Sequence, residues 1–193
     1  MRQTARAPTI IHAAAELWAV KGYHGAGIEE LSQAVGLQRG ALYHHIGSKE
    51  ALLHEVARQA IVRLLGVSNA IPSLPATERL RQLSRTLIAD IAVHQSEWTV
   101  FFREMGWLTG ERRAEIFDLR ARYEELWLKT LEQGAACGEL RCVDPLVVKG
   151  ILGMHNYTYL WLRPDGRLTA ESIADLFVEV LLRGLEQGPM AHV

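Results

Sequence analysis

The segment from Gly36 to Glu50, Gly-Leu-Gln-Arg-Gly-Ala-Leu-Tyr-His-His-Ile-Gly-Ser-Lys-Glu, constrains the fold more than any other part of the chain. It reads as a tight turn, a very short helix and the start of a longer one. At 100° per residue, Leu42 and Ile46 share one side of the short helix, whereas Gly40, Ala41, Tyr43 and His44 lie on the other. Two turns of helix cannot persist on intrinsic propensity, so neighbouring elements must hold them. The outward face carries one phenol, one imidazole and two residues too small to obstruct an approaching surface. Such a face suits close contact with a flat, hydrogen-bonding, negatively charged surface, and a DNA groove is the leading candidate.

The residues before it supply the support. Pro8 to Lys21 carries an apolar stripe of Ile10, Ile11, Ala14, Leu17 and Trp18 at helical spacing. Pro8 suits a first helical position and Gly22 a C-terminal cap. A second short helix is predicted from about Ile28 to Val35, with Ile28, Leu31, Ala34 and Val35 inward, and Gly36 provides the turn that follows. Two short helices around a glycine turn, with a third behind them, describe a helix-turn-helix. Lys21-Gly22-Tyr23, Ile28-Glu29-Glu30-Leu31 and Gly36-Leu37 through Leu52 together resemble the N-terminal domain of the TetR family of bacterial transcriptional regulators.

The resemblance makes the short helix a recognition helix lying in the major groove. It implies that Gln38, Arg39, Ala41 and His44 meet base edges or nearby phosphates, and that Tyr43 gives its hydroxyl to a phosphate. It also implies that Lys49 adds charge at the next helix N-terminus and that Gly40 lets the backbone sit close. Arg pairs with guanine, Gln with adenine, and an Ala methyl can touch a thymine methyl. Gly27, Gln38 and Ala41 stand where the family commonly has Ser or Thr, which implies an unusual operator. His45 points partly toward Leu42 and is expected to pack rather than read bases. His12 and His24 are expected to be ordinary surface or interhelix residues, and no His/Cys spacing suggests a metal. Glu29 and Glu30 read as a solvated face. Arg2 and Arg6 fit a phosphate-tracking arm no better than chance terminal charge.

Charge does not argue for DNA binding by itself. The net charge of the 193 residues is −1. Residues 1–50 hold 5 Lys/Arg against 4 Asp/Glu, so they carry +1; the remaining 16 and 18 give −2. The case rests on local placement. A hydrophobic content of 49% is enough for a substantial core. No apolar run approaches ~20 residues and no signal-peptide core opens the chain, so a cytoplasmic protein without a membrane span is expected. Cys137 and Cys142 could in principle meet, but two reduced thiols are the favoured reading.

After Glu50 the pattern is helical throughout. Helices are predicted from Ser48 to about Leu65, from Thr77 to His94, from Ser96 to about Arg103, from Glu111 to Ala136, from Asp144-Pro145 to about Trp161, and from Thr169 to Gln187. Pro72 and Pro75 break the chain, and Arg163-Pro164-Asp165-Gly166 forms a turn. The expected architecture is all-α: a three-helix DNA-binding domain over residues 1–50, then a larger helical ligand-binding and dimerisation domain over residues 51–193.

Val147, Val148, Ile151, Leu152, Tyr157 and Leu160, with Ile173, Leu176, Phe177, Val180, Leu181 and Leu185, make stripes too wide for one helix pair to bury. Gly150, Gly153 and Gly184 permit close helix approach. The surplus, together with the resemblance, implies a homodimer. Trp98, Phe101, Phe102, Met105, Trp107, Phe117, Tyr123 and Trp127 form an aromatic-rich set that fits a filled core or an apolar chamber; the resemblance points to a chamber. His155 to Gly166 is similar to a segment of TetR-type regulators of fatty-acid and sterol degradation that respond to acyl-coenzyme A thioesters, although a structural helix end and turn fits it equally. There Asn156 is a candidate for a ligand carbonyl, and Arg103, Arg120 or Arg163 for phosphates.

The chain thus reads as a ligand-responsive regulator that binds a roughly palindromic double-stranded operator, a repressor by resemblance, although residues alone do not separate repressor from activator. The effector is expected to be a small apolar ligand, with an acyl-coenzyme A thioester as the candidate. The rival reading is a small-molecule sensor with a degenerate DNA-binding domain. No nucleophile-base pair, apolar carboxylate pair or phosphate loop points to an enzyme, and no cofactor is called for.

Overall fold

Helix ends in this chain are set by glycines and by short polar side chains. In the computed structural model, which describes residues 7–141, 144–163 and 165–185, no strand occurs among the described residues. The helices are α1 (Ala7–Lys21), α2 (Ile28–Ala34), α3 (Arg39–Ile46), α4 (Lys49–Asn69), α5 (Ala76–Val93), α6 (Gln95–Glu104), α7 (Gly110–Ala136), α8 (Leu146–Asn156), α9 (Thr158–Trp161) and α10 (Ala170–Leu185), with a 3₁₀ turn at Met105–Trp107. Gly22 ends α1 at φ +78, its N–H donating to Trp18 O. Ser48 caps α4, its Oγ accepting from Ala51 N–H at 3.0 Å. Asp144 Oδ1 accepts from Leu146 N–H at 2.7 Å, and Thr169 Oγ1 from Ser172 N–H at 3.1 Å.

Three expectations change. The helix expected to run unbroken to Trp161 is interrupted at Tyr157, where Thr158 Oγ1 donates back to His155 O at 2.7 Å and Leu160 N–H bonds Tyr157 O in a tighter turn. Helix α4 continues past Leu65 to Asn69. In α2 the buried residues are Leu31 and Ser32, while Ala34 is exposed, a small side chain that loses little by facing water. Arg2, Arg6, Cys142, Pro164 and the expected last helical turn to Gln187 lie outside the described residues; Cys137 is an exposed free thiol.

The chain divides into two units, each interleaved in sequence. The first takes residues up to Arg63 together with His94–Arg120. Here α1 lies along α6. Ile10, Ile11, Ala14, Ala15 and Trp18 are buried with Leu31, Leu42, Leu53, Trp98 and Phe101. Trp18 meets Tyr23 edge-on at 5.2 Å, and Trp98 meets Phe101 at 5.1 Å. The buried Glu97 carboxylate is paired with Arg63 at 2.8 Å. Glu50 accepts from both the N–H and the hydroxyl of Thr109 at 2.9 Å, and these bonds, with Arg112, hold its carboxyl below the usual range.

The second unit takes Leu64–Val93 and Ala121–Val193. In it α10 packs along α5, with Ile88, Leu162, Ile173 and Ala174 in one apolar cluster. Arg85 grips Asp175 through two bonds of 2.7 Å. Gly134 allows a close approach: a Cβ there would lie 2.8 Å from Ala76 Cβ and 2.7 Å from Leu140 Cδ1.

His155 is fully buried in this unit. Its Nδ1–H donates to Ile151 O at 2.8 Å, so its bare Nε2 accepts from the Ser84 hydroxyl at 2.8 Å. Desolvation pushes its pKa down to about 4. The folded site therefore refuses a proton that the unfolded chain accepts near pH 6.5. This group's contribution to stability is complete above that value and is lost as pH falls toward 4, at up to about 1.4 kcal/mol per pH unit. Urea denaturation at stepped pH is expected to show that slope in the wild type and a shallower one in His155→Gln.

Candidate nucleic-acid interface and ligand site

Helix α3 is anchored by Leu42, which is completely buried, and it leaves Gln38, Arg39, Gly40, Ala41 and His44 exposed with Tyr43 half-buried. A Cβ added at Gly40 would meet nothing within 4 Å, so the protein's own packing does not require glycine there. Gln38 occupies the N-cap position of α3 without a capping hydrogen bond from its side chain. The Arg39 guanidinium lies 5.8 Å from the Tyr43 ring centre and 3.5 Å from Glu29 Oε1. Both partners of that ion pair are exposed, so it holds Arg39 weakly. His45 is half-buried and lines a groove of about 330 Å³ with Ile10, Ile11, Ile46 and Leu52, consistent with a packing role.

Lys49 departs from expectation. Its ammonium donates to Tyr23 O at 2.5 Å and Ala26 O at 2.7 Å, and sits 4.6 Å from the Tyr23 ring centre. Partial burial lowers its pKa. The side chain ties the α1–α2 loop to the start of α4, so it is engaged with the protein rather than held out for phosphate. The Tyr23 and Ala26 carbonyls lie between α1 and α2, outside any helical ladder, and the ammonium supplies them with donors.

The candidate ligand residues fall in both units. In the first, Trp98 and Phe101 are buried, Phe102 and Met105 half-buried, and Trp98 stacks on Phe102 at 5.5 Å. Trp107 is 53% exposed, and Phe117 does not line an interior either. It is 45% exposed, with the Arg113 and Arg120 guanidiniums 5.4 and 5.5 Å from its ring centre. The inward stripe of α7 is Ile116, Leu119, Tyr123, Trp127 and Leu131, and Phe117 sits about 100° off it.

In the second unit Tyr123 and Trp127 are buried and Asn156 is half-buried. Rings continue from Trp127 to His155 at 5.1 Å, and from His155 to Phe177 at 5.3 Å. Sequence reasoning passed over three polar groups here: Ser68, Ser84 and His155, all fully buried. The hydroxyl of Tyr123, the indole N–H of Trp127 and the hydroxyl of Ser68 have no hydrogen-bond partner. Burial raises the Tyr123 pKa strongly, and the Asp90 carboxylate adds to that; Trp127 and Ser68 lie near enough to the phenol to act the other way. Neither reaches it with hydrogen-bond geometry.

Residues 10–56 match the sequence profile described as bacterial regulatory proteins, tetR family. Residues 73–185 match that of the tetracyclin repressor-like C-terminal domain. The HTH-type transcriptional repressor KstR2 of Rhodococcus jostii is 27% identical over 188 residues, covering 95% of this chain and 92% of its own. Among solved structures, the TetR family regulator PfmR of Thermus thermophilus superposes with a TM-score of 0.85 at 32% identity, over 92% of this chain and 99% of its own. AibR, crystallised with isovaleryl coenzyme A and operator DNA, superposes with a TM-score of 0.82 at 33% identity, over 91% and 97%.

Because Lys49 braces the fold, Lys49→Met is expected to lower stability by about 1–3 kcal/mol. It should leave the slope of log affinity against log salt for DNA unchanged. A phosphate-contacting lysine would instead reduce that slope by about one. Thermal unfolding and a salt series of DNA titrations check both.

Proposed function

The chain belongs to the TetR family of bacterial regulatory proteins, and from that premise we propose that it is a homodimeric repressor whose α3 helices read a palindromic operator and which a small apolar ligand releases. The observation that carries this reading is the division of α3: Leu42 is wholly buried, while Gln38, Arg39, Gly40, Ala41 and His44 are left to solvent. In this reading Gln38, Arg39, Ala41 and His44 meet bases or phosphates, Gly40 permits close approach, and the Tyr43 hydroxyl meets the backbone. The functional division is a DNA-binding part over residues 1–50 and a ligand-binding and dimerisation part over residues 51–193.

Dimerisation is supported by Leu146, Tyr157, Leu160, Trp161, Leu176 and Val180, large apolar residues exposed on α8, α9, α10 and the turn between them. A Cβ at Gly150, Gly153 or Gly184 would meet nothing within 4 Å, so these small residues are open to a mate. A twofold dimer sets its recognition helices one DNA turn apart, about 34–36 Å. The ligand class we favour is an acyl-coenzyme A thioester, supported by the likeness to AibR. The candidates to contact it are Tyr123, Trp127 and Asn156 in the second unit and, as a separate set, Trp98, Phe101, Phe102 and Met105 in the first. Release follows if the ligand binds better to a conformer whose helix spacing no longer fits the operator, a coupling of typically ~1–3 kcal/mol. The reading is of a cytoplasmic regulator without catalytic activity. Among the described residues no helix is long and apolar enough to cross a membrane.

Gln38 and Ala41 support a second reading, a sensor with a degenerate DNA-binding domain. A gel shift with the DNA upstream of its own gene separates the two. A band retarded at low salt and lost on adding isovaleryl coenzyme A is expected; no band at low salt favours the sensor. With an operator in hand, Tyr43→Phe should weaken binding about fivefold on every sequence. Arg39→Ala should relax preference at one base pair, worth about 1–3 kcal/mol of discrimination. Unchanged preference in Arg39→Ala, measured by selection from randomised duplexes, would remove Arg39 from the groove.

A further inference from the structure

Buried polar side chains are normally paired, and each exception calls for an explanation. Among the described residues five buried side-chain atoms lack a partner, namely Ser32 Oγ, Ser68 Oγ, Tyr123 OH, Trp127 Nε1 and Arg141 Nε. Three of the five gather in one place, where Trp127 and Ser68 both act on the Tyr123 phenol. Tyr123 is 4% exposed, Trp127 and Ser68 not at all. Two elements of the same unit converge to make the spot: the last turn of α4 brings Ser68, and α7 brings Tyr123 and Trp127, one turn apart.

The chemistry of the three groups defines what would complete them. An indole N–H only donates, and two hydroxyls beside it each carry a proton to give. The hydroxyls can also accept, but the Trp127 indole can only donate, and none of the three protons has a partner. The groups that shift the phenol include a carboxylate, Asp90, and no cation. His155, whose ring lies 5.1 Å from that of Trp127, is neutral near pH 7 and already bonded on both nitrogens. An anion would therefore find no countercharge among the groups that act on the phenol, and would face the Asp90 carboxylate. An uncharged oxygen acceptor on an apolar body would find three donors and aromatic walls.

We infer that Ser68, Tyr123 and Trp127 form a carbonyl-recognition subsite in the ligand-binding part of the chain, selective for an uncharged ketone, ester or thioester oxygen over a carboxylate. This rests on the ligand-responsive reading above and narrows the chemistry of the ligand. It also gives the subsite discriminating power. A ligand without the carbonyl leaves the buried indole N–H without an acceptor, a larger loss than a missing apolar contact.

The test uses the full-length, ¹⁵N-labelled protein and small probes. The Trp127 indole N–H resonance is assigned by its absence from Trp127→Phe, with triple-resonance spectra as an independent route. Cyclohexanone, cyclohexanecarboxylate and methylcyclohexane are titrated in turn. Cyclohexanone is expected to move the resonance downfield and to saturate, while the other two leave it in place. Tyr123→Phe and Ser68→Ala should each weaken the ketone about fivefold, the effect of losing one ordinary hydrogen bond.

An equal shift with methylcyclohexane would overturn the inference, as would tighter binding of the carboxylate. No shift with any probe would also overturn it, and would assign the donors to a resident water. The outcome is separable from the thioester reading. If isovaleryl coenzyme A fails to release the operator while cyclohexanone still moves Trp127, that reading falls and the subsite stands.

Discussion

Helix α3 has eight residues, too few to sustain itself, so its geometry is imposed by what it leans on. Leu42 provides the apolar contact, Gly36 and Gly47 set the turns on either side at positive φ, and Ser48 opens α4 immediately behind it. Lys49 then ties α4 to the α1–α2 loop through two carbonyls. A shift in any of these would re-aim every side chain on the outer face at once. A reading helix needs that rigidity, because contacts with base edges tolerate little displacement.

The same requirement explains why residues distant in sequence join this unit. Helix α6 supplies Trp98 and Phe101 to the core against α1, and Thr109 holds Glu50 at the start of α4. The support for the helix-turn-helix therefore extends to residues 94–120. The proposed functional boundary at residue 50 thus differs from the packing boundary.

Two buried polar arrangements in the second unit behave oppositely. Around His155 both ring nitrogens are bonded, with Ile151 O on one and the Ser84 hydroxyl, which also lies 3.1 Å from Ala174 O, on the other. Such a network specifies a unique packing of α5, α8 and α10. Around Tyr123, one ring contact away through Trp127, the donors go unanswered. Complete satisfaction fits a structural role, and the deficit fits a place where something else binds.

Much of this was legible from residues alone. Gly22, Gly36, Ser48, Asp144 and Thr169 punctuate helices where local chemistry says they should, because capping and positive φ depend only on a few neighbouring atoms. Leu42 buried beneath an exposed polar face follows from helical periodicity, which is also local. Ser68 was within reach too, since it extends the inward stripe of Ala60, Ile61 and Leu64, but only once α4 is known to run past Leu65. The direction of Lys49, the outward turn of Phe117, the role of α6 and the unpaired donors of α4 and α7 were not local properties. Each depends on which carbonyl, ring or hydroxyl from a distant segment stands opposite, and periodicity reports the face of a helix without reporting its neighbour.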